Sequence, residues 1–127
     1  MFVQHLLLAA LGGAIGSAGR FGIGALMLRL MGPGWPWGTF TVNLVGSLVM
    51  GLVIGWFAYK GGVSNAQIFL ATGVLGGFTT FSAFSLETAR MIETKAYTAA
   101  ALYAGSSVIL GVIMVFAGLL IMRKVLA

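Results

Sequence analysis

The chain has 127 residues, of which 60% are hydrophobic and 7% are charged, with a formal net charge of +5. Soluble domains are roughly 25% charged, so this composition predicts an integral membrane protein of one domain, residues 1–127. The basic residues are spread between the apolar runs and form no patch, which argues against a nucleic-acid partner. Without cysteine, and with one histidine and two acidic residues, the chain has too few groups for a disulfide, a conventional metal site or an acid–base enzyme.

Four apolar stretches are each about 20 residues or longer, enough for a helix to cross about 30 Å of hydrocarbon. They cover residues 5–30, 40–59, 66–92 and 96–122. The first has no Lys or Arg before its apolar run, which disfavours a cleaved signal peptide. The predicted fold class is therefore all-α and integral to the membrane, with four transmembrane helices per subunit.

Arg20 lies past the middle of the first stretch. Its side chain either reaches the lipid headgroups, as arginines near helix ends do, or forms a fixed positive charge at a water-filled vestibule that attracts anions.

The second stretch follows a turn rich in glycine, proline and tryptophan, and Thr39 is predicted to cap its helix. Asn43 is its one strongly polar side chain, and a buried amide is costly unless paired. It is expected either to bridge two helices or to donate to an anion. Ser47, Gly51 and Gly55 recur every four residues, which predicts close approach by another helix.

The third stretch contains the feature around which the other predictions are arranged. Gly76 and Gly77 weaken a helix by about 1 kcal/mol each relative to alanine, and the hydroxyls of Thr79, Thr80 and Ser82 can satisfy backbone groups that the helix leaves unpaired. A break is predicted near Gly76–Thr80. Broken spans are tolerated where the backbone is buried in protein or lines a wet cavity, so this is a candidate ion site. The alternative is a seam of small residues between continuous helices.

Two further pairs of side chains share helical faces. Phe81 and Phe84 are three residues apart and either contact core or lipid, or turn their positive ring edges into an anion pore. Tyr103 and Ser107 are four apart on the fourth stretch, although lone hydroxyls usually bond back to their own helix. Glu87 is expected to pair with a basic group or to cap a polar end.

The basic residues are almost evenly divided between the two sides of the membrane. One side has Lys60, Arg123 and Lys124; the other has Arg29, Arg90 and Lys95, with Arg20 if it extends there. Orientation follows the Lys/Arg bias of short loops, so insertion in both orientations is predicted. Inverted copies would pair as an antiparallel dual-topology homodimer, the alternative being a single orientation. Carbonyls freed at the two breaks would then converge as a cation site beside anion pathways.

Three segments, 12–21, 37–46 and 76–85, carry a resemblance to a known family. They read Gly-Gly-Ala-Ile-Gly-Ser-Ala-Gly-Arg-Phe, Trp-Gly-Thr-Phe-Thr-Val-Asn-Leu-Val-Gly and Gly-Gly-Phe-Thr-Thr-Phe-Ser-Ala-Phe-Ser. They resemble the Fluc fluoride channels (CrcB family), and the resemblance extends over essentially the whole chain.

The resemblance implies passive fluoride export across the bacterial inner membrane, and hence fluoride resistance, through two pores of an antiparallel dimer with a sodium ion buried at its centre. By position in the motifs, it implies pore or fluoride contacts at Asn43, Thr80, Phe81, Ser82, Phe84, Tyr103, Ser107 and Arg20. It implies sodium ligation by the backbone carbonyls of Gly76 and Thr79. Relatives have further polar positions on the fourth helix, where this chain has Gly111 and Val115, so its polar track is expected to be shorter.

Two other functions fit part of the pattern. A small dual-topology multidrug transporter would need a membrane-embedded carboxylate, and the first two stretches contain none, while Glu87 lies beyond the predicted break. A structural membrane subunit would explain the small residues but not the hydroxyls around the break.

Overall fold

The computed structural model describes residues 1–61 and 64–127, and these are almost entirely helical. The first two helices are α1 (Phe2–Met31) and α2 (Trp37–Lys60). The third span is composite: α3 (Asn65–Gln67), a π-helical segment (Ile68–Leu75), α4 (Gly76–Phe78) and α5 (Phe81–Glu93) follow one another. The last helix is α6 (Tyr97–Leu126). The predicted link after α2 includes Gly62 and Val63, which lie outside the described residues.

Four helical spans, Phe2–Met31, Trp37–Lys60, Asn65–Glu93 and Tyr97–Leu126, are long and apolar enough to cross a membrane. The predicted all-α membrane fold with four spanning helices is confirmed. Large apolar side chains point outward: Leu102, Ile109 and Phe116, one heptad apart on α6, are 60%, 61% and 59% exposed. Such a surface suits lipid.

Glycines set the distance between α2 and α6, the two helices that contact each other most extensively. A Cβ at Gly51 would lie 3.0 Å from the Gly118 Cα, and one at Gly55 would lie 2.8 Å from the Met122 Cβ. The close approach predicted for Gly51 and Gly55 is therefore confirmed, and it brings the polar faces of these two helices together.

A second glycine contact joins α1 to the third span. A Cβ at Gly12 would lie 2.8 Å from the Gly73 Cα, and one at Gly16 would lie 2.8 Å from the Phe78 nitrogen. Backbone therefore touches backbone along this seam, which leaves no room for a side chain at either position of α1.

The third span departs from a regular α-helix in two ways. The Gly76 N–H donates to the carbonyl of Ala71, five residues back, which is the π-helical spacing. Thr79 (φ −84°, ψ 157°) and Thr80 (φ −149°, ψ 124°) then have extended backbones between α4 and α5. Gly76 itself is helical (φ −63°, ψ −36°), so the threonines leave the helix and the glycine does not.

Candidate functional site

The extended backbone at Thr80 is paired by a side chain of α2. Asn43 Nδ2 donates to the Thr80 carbonyl at 3.0 Å, and the Thr80 N–H donates to Asn43 Oδ1 at 2.8 Å. The amide thus satisfies both backbone groups of one residue, as a neighbouring peptide would. Asn43 bridges two helices, and because an amide nitrogen carries two hydrogens, one donor remains for another acceptor.

This pairing changes the hydrogen bonding of two carbonyls in the third span. In a continuous α-helix the N–H of Thr80 would bond to the Gly76 carbonyl, four residues back, but here it bonds to Asn43. Similarly, the N–H of Ala83 donates to the Thr80 hydroxyl at 3.2 Å instead of to the Thr79 carbonyl. The Gly76 and Thr79 carbonyls therefore lack the donors that a continuous helix would supply.

Arg20 contacts the carbonyl that lies between these two. Its Nε donates to Gly77 O at 3.1 Å, across from α1 to the end of α4. A cation beside unpaired carbonyls at a helix C-terminus is electrostatically favourable. Arg20 is thus tied to the third span within the fold.

A cavity of about 300 Å³ opens beside the Asn43–Thr80 pair, between α2, α5 and α6. The predicted site residues that line it are Asn43, Thr79, Thr80, Phe81, Phe84 and Ser107. Ser107 Oγ is buried and has no hydrogen-bond partner among residues 1–61 and 64–127. An unpaired buried hydroxyl is costly, so this atom is available to a ligand in the cavity.

Aromatic rings form one wall of this site. The Phe81 and Phe84 ring centroids are 5.8 Å apart, and the Phe84 ring lies 5.2 Å from that of Tyr103. Phe81 is 79% exposed, whereas Tyr103 is fully buried at 0% and is packed edge-on by Trp35 at 5.5 Å. Tyr103 therefore supports Phe84 from behind.

The Tyr103 hydroxyl is held by a carboxylate. Tyr103 OH donates to Glu87 Oε1 at 2.8 Å, and Thr39 Oγ1 donates to Glu87 Oε2 at 2.8 Å. Of the two expectations for Glu87, a basic partner is not found among residues 1–61 and 64–127, where its carboxylate accepts from two hydroxyls. The prediction that Thr39 caps α2 is wrong, because α2 begins at Trp37 after Pro36. The reason is that α2 starts one turn earlier than predicted, which brings Thr39 opposite α5.

A second cavity, of about 360 Å³, lies on the other side of Thr80. Its polar lining includes Arg20, Thr39 and Thr80, so Thr80 borders both cavities. Ser82 is exposed, and its Oγ is 3.3 Å from the Thr80 hydroxyl. The structure therefore distributes the predicted site residues: Arg20 lies at the second cavity, and Tyr103 behind the wall of the first.

Sequence reasoning missed Ser47 as a site residue, although it lines the first cavity. The signal was present, because Ser47 is four residues after Asn43 and so shares its helical face. The Thr39–Glu87–Tyr103 network had no such signal, since it joins three helices. In the described part of the chain no three His, Cys, Asp or Glu side chains cluster, so a cation held here would need backbone or amide oxygens.

Fold and cavity together define a small multi-pass membrane protein with a mostly apolar cavity that contains a few uncharged polar side chains. The sequence profile of the family described as CrcB-like protein, Camphor Resistance (CrcB), matches residues 7–119. The chain belongs to this CrcB family and is a multi-pass bacterial membrane protein.

Curated relatives match over nearly the whole chain. The chain is 54% identical over 127 residues to a protein of Caulobacter vibrioides and 56% identical over 127 residues to one of Hyphomonas neptunium, with 98% of this chain and 100% of each relative covered. It is 50% identical over 127 residues to a protein of Phenylobacterium zucineum, again with 98% and 100% coverage. Each of these relatives bears the name fluoride-specific ion channel FluC.

Proposed function

We propose that this protein is a fluoride-selective channel that allows passive fluoride export and so gives fluoride resistance. The name of its relatives supports this function at 54% identity over 127 residues. The observation that carries the proposal is the first cavity, where the Asn43 amide and the unpartnered Ser107 hydroxyl lie beside Phe81 and Phe84.

The chemistry of this lining suits a small, strongly hydrated anion. Short hydrogen bonds from Asn43 Nδ2, Ser107 Oγ and the Thr80 hydroxyl would replace part of the hydration shell. The positive edges of the Phe81 and Phe84 rings would surround the ion without trapping it. Since none of the described residues that line this cavity is Lys or Arg, the ion can leave as readily as it enters.

A second copy of the chain would complete the site. In the middle of the third span Thr72, Gly76 and Ser82 are exposed, and Phe81 is 79% exposed. Hydrocarbon leaves such polar and backbone groups unsatisfied, so this face requires a cover. With basic residues balanced on the two sides, an inverted copy is the partner we propose, giving an antiparallel dual-topology homodimer.

Each dimer would then contain two pores, both lined by residues of the two copies. Arg20 and the second cavity would form the vestibule through which anions approach, and Thr80 would connect it to the first cavity. Ser82, which is beside the Thr80 hydroxyl, would add a donor along this route. Tyr103 would act mainly by supporting Phe84.

A sodium ion at the dimer centre fits the donor set of the third span. The Gly76 and Thr79 carbonyls lack their helical donors because Asn43 and the Thr80 hydroxyl have taken these N–H groups. Neutral carbonyl oxygens are the ligands that hard cations prefer in the absence of carboxylates. When bound, the ion would tie the two broken third spans together.

The multidrug-transporter alternative is weakened by the state of Glu87. A proton-coupled carrier needs a carboxylate that is free to exchange its proton for substrate. Here both oxygens of Glu87 accept hydrogen bonds at 2.8 Å, from Thr39 and Tyr103. The Glu87 carboxylate is therefore already engaged within the fold.

The decisive experiment is fluoride efflux from liposomes loaded with potassium fluoride. We expect the purified protein to discharge the gradient when a potassium ionophore relieves the voltage, and to leave a chloride gradient largely intact. Fluoride release no faster than from protein-free liposomes would refute the channel function.

The sodium proposal has its own test. Purification with N-methylglucamine in place of sodium should lower the thermal stability of the dimer, and returned sodium should restore it. A melting midpoint indifferent to sodium would remove the ion from the proposal without affecting the fluoride assay.

A further inference from the structure

Ser47 on α2, which lines the first cavity, lies against Gly111 on α6. A Cβ at Gly111 would lie 3.7 Å from Ser47 Oγ, which is ordinary van der Waals contact. Because glycine has no side chain, the space beside the Ser47 hydroxyl is open to the cavity that Ser47 and Ser107 both line.

The Ser47 hydroxyl has no hydrogen-bond partner in the part of the chain that the structure describes. Among residues 1–61 and 64–127 it forms no hydrogen bond, whereas Ser106 on α6 donates back to the carbonyl of Leu102. Ser107 Oγ is likewise unpartnered in the same stretch of structure. Two helices therefore present one free hydroxyl each to the same cavity.

The two hydroxyls extend the polar lining along the cavity. Asn43 and Ser47 are successive turns of one face of α2, with Ser107 opposite, and Met50 and Val115 continue the lining as apolar residues. Hydrogen bonds to an ion are worth about 1.5–3 kcal/mol each, so a desolvated anion gains substantially from every donor. The last donor before the apolar end of the cavity is Ser47.

We infer that Ser47 Oγ donates to the permeating anion, and that Gly111 keeps this hydroxyl accessible. The inference rests on the proposed fluoride function and extends it to a residue that packing patterns alone assign to a helix seam. In this chain the polar lining thus passes from α6 to α2 beyond Ser107.

The test removes the hydroxyl from position 47 on α2 and introduces one at position 111 on α6. The rate of fluoride efflux from liposomes is measured for each variant. Ser47→Ala should slow efflux by about ten-fold, since a bond to an ion is lost. Adding Gly111→Ser should recover most of the rate, because the new hydroxyl starts from a Cβ that lies 3.7 Å from the former Ser47 Oγ.

Two controls separate hydrogen bonding from packing. Gly111→Ala in the Ser47→Ala background fills the same space without a donor and should leave efflux slow. Ser106→Ala removes a hydroxyl already bonded to Leu102 O and should keep wild-type throughput. All variants are compared after elution at the wild-type position in size-exclusion chromatography.

The outcomes are distinguishable from those of the proposed function. Wild-type efflux in Ser47→Ala, or equal recovery by Gly111→Ala and Gly111→Ser, would overturn the role of Ser47 while leaving the channel in place. Wild-type protein that releases no fluoride would instead refute the channel itself.

Discussion

Single side chains form hydrogen bonds with backbone groups of the third span, in place of the bonds of a continuous helix. Asn43 pairs with both the N–H and the carbonyl of Thr80, at 2.8 Å and 3.0 Å, and Arg20 takes the Gly77 carbonyl at 3.1 Å. A polar residue in a membrane helix predicts a polar partner, so the need for partners could be predicted from sequence. Which atoms they are could not, because a predicted break near Gly76–Thr80 does not show which of its backbone groups Asn43 and Arg20 reach.

The Phe84 ring should limit throughput. Phe84→Ile removes the aromatic edge and the contact with Tyr103, whose ring centroid is 5.2 Å away, and should slow fluoride efflux by up to about ten-fold. Phe116→Ile is the matched control, since Phe116 is 59% exposed and is not among the residues that line the first cavity. Equal rates in the two variants would exclude the Phe84 ring from the pathway.

Tyr103 should matter for stability more than for conduction. Tyr103→Phe keeps the buried ring but leaves Glu87 Oε1 without its donor at 2.8 Å, which should cost about 1–3 kcal/mol of stability. Thermal unfolding in detergent would measure this loss, with Tyr97→Phe as an exposed control. A large fall in efflux at unchanged melting midpoint would show instead that the hydroxyl contacts the ion.

Among the helices, the third span is the least regular and the most dependent on its neighbours. The length and apolar composition of the four stretches are sufficient to predict four spans, since length and hydropathy decide which segments cross a bilayer. It could not predict the π-helical segment Ile68–Leu75, whose Gly76 N–H bonds five residues back to Ala71. That geometry depends on α1, because Gly12 and Gly16 bring another backbone against the segment.

The seam between α1 and the third span predicts a sharp contrast between two glycines of α1. Gly16→Ala would place a Cβ 2.8 Å from the Phe78 nitrogen, so the helices must separate, and we expect a lower melting midpoint and slower efflux. Gly22→Ala meets nothing within 4 Å and should be neutral or stabilising by up to about 1 kcal/mol. Equal melting midpoints and efflux rates in the two variants would contradict the close contact of α1 with the third span at Gly16.

The molecule as a whole has two different exposed faces, one apolar and one with polar groups. The exposed apolar surface of α6 suits hydrocarbon, but Thr72, Gly76 and Ser82 are exposed in the middle of the third span. Near-balanced Lys and Arg residues predict that both orientations are made. The sequence predicts this balance because it depends only on counting charges, whereas the exposed polar face, which we propose a second copy covers, is formed only on folding.

Dual topology can be tested by reporters fused to the C-terminus, which should be found on both sides of the membrane. Replacing Lys60, Arg123 and Lys124 by Gln removes the basic residues of one side and should fix a single orientation. Fluoride resistance of cells should then fall, and co-expression of an oppositely biased copy, with Arg29, Arg90 and Lys95 replaced, should return it. Reporters on one side only in the wild type would rule out inverted pairing.

The pairing of Asn43 with Thr80 also bears on how the chain enters the bilayer. The two residues are 37 positions apart, and during synthesis α2 emerges from the ribosome first. When the translocon releases the third span, the amide that completes its open backbone is already in the membrane. A chimera that carries residues 76–85 in another membrane protein would also need the matching asparagine. Without it, the N–H and carbonyl of the residue that corresponds to Thr80 would have no hydrogen-bond partner in lipid.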